Sequence, residues 1–291
     1  MKTIDEALRE LIRLTLDGAG AAGQLSFPPL LQGFPDAAHG GGLLAAFGRV
    51  ARACVPDRKL RRLAAVIHRT IPLDTLLQLT AARGEHDLTL TLKNRETVLA
   101  EATAENSAEL IEAGAFERWR ERNGNPLALP TTRGCLACGS ENPLGCQLAL
   151  RFDDRWLWSE HWPRPPFRSP NGTLDPALFP ILLDEVGWWL GALRTGEAGV
   201  TTEVSTTLHC DDVAFDGPLT LLGEHGRVTA RDEKGHFWET AGAVFSARGS
   251  LLASARVTYA ASRVYSKRLV PLLAALNPSD SVRRVFPRHV L

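Results

Sequence analysis

The chain has 291 residues, of which 44% are hydrophobic and 23% charged, a composition typical of a globular protein with a substantial core in one or two domains. Its 33 basic residues balance its 33 acidic ones, which argues against a broad nucleic-acid surface or a polybasic membrane surface. Five cysteines do not suggest a disulfide framework, and no apolar run reaches the roughly 18 residues of a membrane span. The first residues lack a signal-peptide pattern, so we expect a cytoplasmic protein without membrane association.

The first half of the chain predicts helices followed by strands. Residues 3–17 place Ile4, Leu8 and Leu11 on one helical stripe. After a stretch rich in glycine and proline, residues 40–54 (GGGLLAAFGRVARAC) have the small and apolar composition of a buried helix. Alternating or apolar patterns then predict strands over 63–73, 75–84, 87–93 and 97–105, with a hairpin connection at 93–96.

The same order recurs in the second half. Residues 107–122, with Ser107 as N-cap, predict a helix, which forms a linker together with residues 126–134. Strands are predicted over 146–154 and 155–162, a helix over 175–193, and further strands over 200–210, 217–228, 236–248 and 250–260. The basic tail, 264–291, is loosely patterned and predicts a packing or disordered extension.

A long helix followed by four antiparallel strands, twice over, predicts an α+β protein made by gene duplication. The sequence RETVLAEA at 95–102 corresponds to RGSLLASA at 248–255. A sheet that curls around one helix leaves an open edge, so we expect the two repeats to join edge to edge about a pseudo-twofold axis. The predicted segments are an N-terminal helix and loop (1–24), a first repeat (25–106), a linker helix and loop (107–134), a second repeat (135–263) and the tail (264–291).

Three motifs give the chain a family resemblance. They are His39-Gly40-Gly41 at the start of the first long helix, Leu183-Asp184-Glu185 within the second, and Cys135-x-x-Cys138-Gly139-x-x-Asn142-Pro143-x-Gly145. Together with the strand order, they resemble the acyl-CoA thioesterase-like branch of the hotdog-fold superfamily, over residues 25–106 and 135–262. The resemblance implies a fused double hotdog, in which each repeat wraps an antiparallel sheet around a long central helix and the two repeats form an intramolecular pseudo-dimer.

The resemblance also implies a site between the repeats. In such enzymes a glycine of the HGG motif lends its backbone N–H to the thioester carbonyl, and an acid about nine residues after the His acts as general base or nucleophile. Here the first repeat has Gly40 but carries Gly48 in the acid position. The second repeat has Asp184 but carries Asp175-Pro176-Ala177 in place of HGG. We therefore predict one composite site, formed by Gly40 and Asp184, and an inactive mirror position.

Other residues receive roles from the same comparison. Thr202 falls where a Ser or Thr supports the acid, and Gln32 lies near the place of a polar residue that holds substrate or water. Gly41 and Trp188 are candidates for substrate binding, with Trp188 or Trp189 as a wall of an acyl tunnel. His39 either shapes the oxyanion region or merely caps the helix, and Glu185 is the alternative inward carboxylate if the helix register differs by one residue.

The cysteines raise the question of a metal. Cys135 and Cys138 suggest zinc, with Cys146 and His161 as further candidate ligands, but the spacing fits no common zinc module. We therefore expect a tight turn of buried thiols, with neither a metal nor a cofactor. A nucleophilic cysteine is not predicted either, because no histidine or helix N-terminus is placed by the sequence beside these thiols.

The leading functional hypothesis is hydrolysis of an acyl thioester carried by coenzyme A or acyl carrier protein. A non-catalytic acyl-thioester-binding or scaffold protein is the first alternative, because motif positions have changed in both repeats. A hotdog dehydratase or hydratase that pairs His39 with Asp184 is the second. We expect no nucleic-acid partner, and a homodimer of double-hotdog protomers is one expected assembly.

Overall fold

A computed structural model of the chain describes residues 2–17, 19–107, 114–122 and 125–289. Its helices are α1 (Ile4–Leu11), α2 (Gly40–Cys54), α3 (Ala115–Arg120), α4 (Leu178–Thr195), α5 (Arg263–Leu276) and α6 (Ser279–Val285). Its strands are β1 (Ile12–Asp17), β2 (Gly20–Leu25), β3 (Arg62–Ile67), β4 (Leu77–Arg83), β5 (Asp87–Asn94), β6 (Thr97–Glu105), β7 (Leu127–Ala128), β8 (Arg151–Phe152), β9 (Trp156–His161), β10 (Gly199–Leu208), β11 (Leu219–Glu224), β12 (Thr229–Ala230), β13 (Phe237–Phe245) and β14 (Leu251–Ala261). Within these residues, no helix combines the length and hydrophobicity that a membrane crossing requires.

The strands form one antiparallel sheet that runs through both halves of the chain. Its order is β1-β2-β4-β5-β6-β3-β10-β14-β13-β11-β9-β8-β7, with β12 paired to β13. The two halves meet where β3 pairs antiparallel with β10, from Val66 opposite Glu203 to Arg62 opposite Thr207. The repeats therefore join edge to edge, as the sequence predicts.

The two long helices pack against the sheet and against each other. Helix α4 contacts α2 and strands β10, β11, β13 and β14, and every residue from Leu178 to Ala192 is buried. A Cβ on Gly41 would overlap the Pro180 carbonyl oxygen, so this glycine allows the close approach of α2 to α4. The fold class predicted from the sequence, an α+β double hotdog with a long helix in each repeat, is confirmed.

The N-terminal segment differs from its prediction. The helix expected over 3–17 ends at Leu11, and Ile12–Asp17 instead forms β1, which pairs with β2 and so extends the sheet. The reason is visible in the sequence, because apolar and polar residues alternate from Ile12 to Asp17, which is the period of a strand. The strand expected over 146–154 is also shorter and is confined to β8.

The C-terminal tail is ordered as helices α5 and α6. Ser266, Leu269, Val270 and Leu273 are buried at the i, i+3, i+4, i+7 spacing of one helical face. The Ser262 side chain accepts a hydrogen bond from the Tyr265 N–H and caps the start of α5. The expectation of a disordered extension is therefore wrong, and the packing alternative describes the tail. Of the linker helix expected over 107–122, residues 108–113 lie outside the described residues, and 115–120 form α3.

Candidate functional site

The N-terminus of α2 lies against the middle of α4, and Asp184 connects them. Asp184 Oδ2 accepts a 2.8 Å hydrogen bond from the Gly41 N–H, and Oδ1 accepts one of 2.8 Å from Thr201 Oγ1. A carboxylate is favoured here because the first N–H groups of a helix carry partial positive charge and have no partner within the helix. A Cβ on Gly40 would lie 2.8 Å from Asp184 Oδ2, so glycine is needed for this approach. Acid and glycine come from different repeats.

His39, the N-cap residue of α2, lies between two carboxylates. Its Nδ1 is 3.3 Å from Asp184 Oδ2, and its Nε2 is 3.4 Å from Glu185 Oε2. Glu185 Oε1 also accepts a 2.8 Å hydrogen bond from the Trp189 indole. His39, Asp184 and Glu185 are 4%, 4% and 7% exposed, so all three ionisable groups are buried together. The helix therefore brings both adjacent acids to the site, on opposite nitrogens of one imidazole.

The surroundings shift the pKa values of the two carboxylates in opposite directions. Burial raises the pKa of Asp184, although the charge of His39 and the hydrogen bonds from Thr201 and Gly41 oppose this. Burial acts in the same direction on Glu185, but its hydrogen bond to His39 and the charge of that imidazole give it a net lowered pKa. Burial also opposes protonation of His39, yet its contacts with Cys135 and Glu185 raise its pKa well above the ordinary value. Asp184 is therefore the carboxylate better suited to accept a proton.

The loop that carries Cys135 and Cys138 (residues 135–145, the cysteine loop) lies on the other side of His39. Cys135 Sγ lies 4.0 Å from Glu185 Oε2, and the donor atoms of His39, Cys135 and Glu185 all lie within 4.8 Å of one another. A hydrogen bond from Cys138 lowers the pKa of Cys135 to about 6, helped by His39 and opposed by burial. The expectation that no histidine lies beside these thiols is wrong, because the fold brings His39 to Cys135 together with Glu185.

The two other candidate zinc ligands, Cys146 and His161, line a groove of about 410 Å³ together with Trp158 and Arg164. Cys146 is also tied to the cysteine loop, because its N–H donates to the Leu136 carbonyl oxygen at 2.8 Å. Spacing along the chain does not indicate the grouping of His39 with Cys135, because most of the first repeat separates the two residues. The one usable sign was that each belongs to a short motif of the same resemblance.

Comparison with known proteins agrees with this architecture. No family model matches the sequence, and no curated protein sequence matches it. Solved structures do match over both repeats. A Thermobifida fusca YX protein with a provisional assignment as thioesterase II is 14% identical, with a TM-score of 0.61, over 88% of this chain and 99% of that one. A conserved Alicyclobacillus acidocaldarius protein of unknown function with a hot dog fold is 15% identical, with a TM-score of 0.54, over 88% and 98%. This chain has a double hotdog fold.

The matching structures also include a dehydratase domain. The dehydratase domain of PpsC from Mycobacterium tuberculosis, solved with C12:1-CoA, is 13% identical, with a TM-score of 0.52, over 87% of this chain and 98% of that domain. At such identities the likeness concerns the fold, and the chemistry has to be argued from the site.

In this double hotdog, Thr201 makes the contact that the sequence assigned to Thr202. Thr202 Oγ1 donates instead to the Thr258 carbonyl oxygen at 3.2 Å. The pairing of β10 with β14 shifts register between Thr201 and Glu203, which leaves Thr202 as the extra residue of a β-bulge. A bulge re-aims side chains, so counting from Asp184 selects the wrong threonine.

Gln32 and Trp188 are positioned by packing rather than by Asp184. The Gln32 side chain lies against Gly134, and the backbone carbonyl oxygen of Gln32 accepts a 2.7 Å hydrogen bond from the Leu136 N–H, which ties this residue to the cysteine loop. Trp188 is 5% exposed, and its indole N–H donates to the Gly199 carbonyl oxygen at 2.9 Å. Its ring packs 5.0 Å from that of Phe34, between centroids. These are the contacts of structural residues, and their substrate roles stay predictions.

The mirror position lacks the same groups. Gly48 occupies the place of Asp184, and a Cβ there would meet Leu63 and Arg52. Asp175 occupies the place of His39, and its Oδ1 accepts a 2.8 Å hydrogen bond from the Ala177 N–H, just before α4 begins. Asp175 therefore holds the chain segment that leads into α4. Helix α2 contains no acidic residue that could complete a second site with it.

Proposed function

We propose that the chain hydrolyses an acyl thioester of coenzyme A or acyl carrier protein at one composite site between its repeats. The observation that carries the proposal is the approach of Asp184 in α4 to the N-terminal glycines of α2, within 2.8 Å of the Gly41 N–H. Because Gly41 holds the acid, the neighbouring Gly40 N–H in the first turn of α2 is the group that we assign to a carbonyl oxygen. Gly40 is half-buried while Asp184 is buried, so substrate would arrive from the Gly40 side.

In the proposed reaction, the thioester carbonyl oxygen binds at the Gly40 N–H, where the positive end of α2 stabilises the developing oxyanion. A donor of this kind contributes about 10²–10³-fold in rate. Asp184 takes a proton from water as the water oxygen bonds to the carbonyl carbon. When the intermediate collapses, the carbon–sulfur bond breaks and Asp184 returns the proton to the thiolate. Direct attack by the Asp184 carboxylate, followed by hydrolysis of the anhydride, is the nucleophilic version of the same chemistry.

Two further groups complete the proposed site. Thr201 holds Asp184 Oδ1, which fixes the orientation of the carboxylate without removing its charge. His39 is the N-cap residue of α2 by position, and its contact with Asp184 would help to fix the adjacent Gly40. Both act as positioning residues in this proposal, whereas Asp184 and Gly40 meet the reacting atoms.

The test is thiol release from short, medium, long and aromatic acyl-CoAs by the wild type and by Asp184→Asn. We expect turnover with at least one acyl group and a loss of 10²-fold or more in the variant. Asp175→Asn, which removes the acid at the mirror position, is the matched control and should retain turnover. Equal turnover by Asp184→Asn and the wild type would refute the assignment.

A second candidate, dehydration or hydration of an acyl thioester, is favoured by one specific contact. His39 Nδ1 lies 3.3 Å from Asp184 Oδ2, and a hotdog dehydratase pairs a histidine with an acid in this way. The same variants separate the two reactions, because loss of an enoyl-CoA chromophore without thiol release would indicate hydration. If no acyl-CoA reacts but several raise the melting temperature, the chain is an acyl-thioester-binding protein.

A further inference from the structure

The buried cluster around Glu185 contains more negative groups than positive ones. The carboxylates of Asp184 and Glu185 come together there with the Cys135 thiol, and His39 is the positive partner of both carboxylates. Burying two carboxylates is costly unless they are paired or bind a cation. Imidazole nitrogen, thiol sulfur and carboxylate oxygen are also the donor set that zinc prefers in proteins.

The distances within the cluster suit a tetrahedral ion. Zinc bonds of about 2.0–2.3 Å place neighbouring tetrahedral donors roughly 3.3–3.6 Å apart. His39 Nε2 is 3.4 Å from Glu185 Oε2, and Cys135 Sγ is 4.0 Å from the same oxygen. The remaining pair, His39 and Cys135, is within 4.8 Å. A contraction of about an ångström or less along two edges of this triangle would bring all three donors onto one ion.

The surroundings hold each donor as metal sites do. His39 Nδ1, the nitrogen opposite the cluster, makes no well-aligned hydrogen bond but lies 3.3 Å from Asp184 Oδ2, and metal-bound histidines commonly present their second nitrogen to a carboxylate. Trp189 engages Glu185 Oε1, which leaves Oε2 facing the cluster. The Ala137 N–H donates to Cys135 Sγ at 3.3 Å, an interaction that favours a thiolate.

A second buried thiol, Cys138, lies in the same turn. The Gly139 N–H donates to the Cys135 carbonyl oxygen at 3.0 Å and closes the turn that carries both thiols, and Cys138 Sγ lies 3.8 Å from Thr132 Oγ1. The Asn142 amide donates to the carbonyl oxygens of Leu30 and Gly134, which fastens the loop against the segment preceding α2. The two thiols and the N-cap of α2 are therefore held together by the protein frame before any ion binds.

We propose that His39 Nε2, Cys135 Sγ and Glu185 Oε2 bind a zinc ion, with Cys138 as the fourth donor. The ion neutralises the buried thiolate and carboxylate and links the cysteine loop, α2 and α4. It also fixes the start of α2, where Gly40 and Asp184 meet. The inference does not depend on the proposed hydrolysis, because a metal can be measured whether or not any acyl-CoA reacts.

The first experiment is elemental analysis of the untagged full-length chain, produced in zinc-supplemented medium and purified without chelators under reducing conditions. We expect about one zinc ion per chain. The metal is then removed with a chelator and Co²⁺ is added. A thiolate-to-cobalt charge-transfer band together with intense tetrahedral d–d bands is expected, because the site contributes sulfur ligands.

Three variants assign the ligands. Cys135→Ser and His39→Gln should each lower the metal affinity at least tenfold, and Cys135→Ser should weaken the charge-transfer band. Cys54→Ser is the matched control, because Cys54 is a buried thiol at the far end of α2 and should leave metal content and spectra unchanged. Substoichiometric zinc (below about a tenth per chain) with no cobalt charge-transfer band in the wild type would overturn the proposal. That outcome would mean that a protonated His39 alone bridges the two carboxylates.

Discussion

The stability of the protein should depend on pH through His161, which lies on β9. This imidazole is 6% exposed, and its Nε2 has no hydrogen-bond partner among the described residues. Burial, aided by the nearby positive charge of Arg164, lowers its pKa from 6.5 to about 4. The folded state therefore resists a proton that the unfolded chain accepts. Stability should be unaffected above pH 6.5 and should fall as the pH drops from 6.5 towards 4.

The size of the effect follows from the shift. Each pKa unit corresponds to about 1.36 kcal/mol, so His161 alone should cost about 2.5 kcal/mol between pH 7.5 and pH 4.5. The assay is chemical denaturation of the wild type and of His161→Gln at several pH values across this range. Groups that titrate in both proteins cancel in the difference. His161→Gln should therefore gain about 2.5 kcal/mol of unfolding free energy relative to the wild type on acidification.

The control for this prediction is His86→Gln, which removes a histidine whose side chain is 88% exposed. Its stability relative to the wild type should stay constant over the same range. If the difference between His161→Gln and the wild type changes by less than about 0.5 kcal/mol, or in the opposite direction, the pKa of His161 is not lowered in the folded protein.

Three further predictions concern the site, the tail and the assembly. Thr201→Val should lower the thiol-release rate about 10–100-fold, because a hydrogen bond to a charged group is worth about 1.5–3 kcal/mol, whereas Thr202→Val should have little effect; the reverse result would restore the sequence-based assignment. Leu273→Ala should lower the free energy of unfolding by about 2–5 kcal/mol in chemical denaturation, and Leu272→Ala, at a position 49% exposed, should change it by about 0.5 kcal/mol or less; equal effects would contradict the helical packing of the tail. Light scattering should give twice the chain mass if double-hotdog protomers pair, and a monomer mass would exclude that assembly.

Much of the fold was predictable because its two long helices are distinctive in composition. Residues 40–54, predicted as a helix, are the residues of α2, and the hairpin connection predicted at 93–96 is a tighter turn in the structure, at residues 95–96 between β5 and β6. The failures arise where one pattern overlies another. Residues 3–17 contain a helical stripe followed by a strand alternation, and the stripe concealed the alternation. In the tail, Pro271 interrupts the sequence pattern of a helix, although the buried face continues through it.

The sequence predicts which residues of the two long helices form the candidate site, but not which side chains from other segments surround them. The resemblance selected Gly40, His39 and Asp184, which the fold brings together. Two features were out of reach of any count along the chain. A β-bulge in β10 decides which threonine faces the acid, and the folding of the cysteine loop across α2 decides which groups surround Cys135. Both are set by contacts between distant segments.

We propose that each chain carries one composite site and one inactive mirror position. Isothermal titration of the 291-residue chain with a non-hydrolysable thioether analogue of a reactive acyl-CoA counts the binding sites. We expect one analogue bound per chain, with binding retained in Asp184→Asn, whose turnover is lost. Two analogues bound per chain, or one bound with turnover undiminished in Asp184→Asn, would mean that the single composite site is wrong.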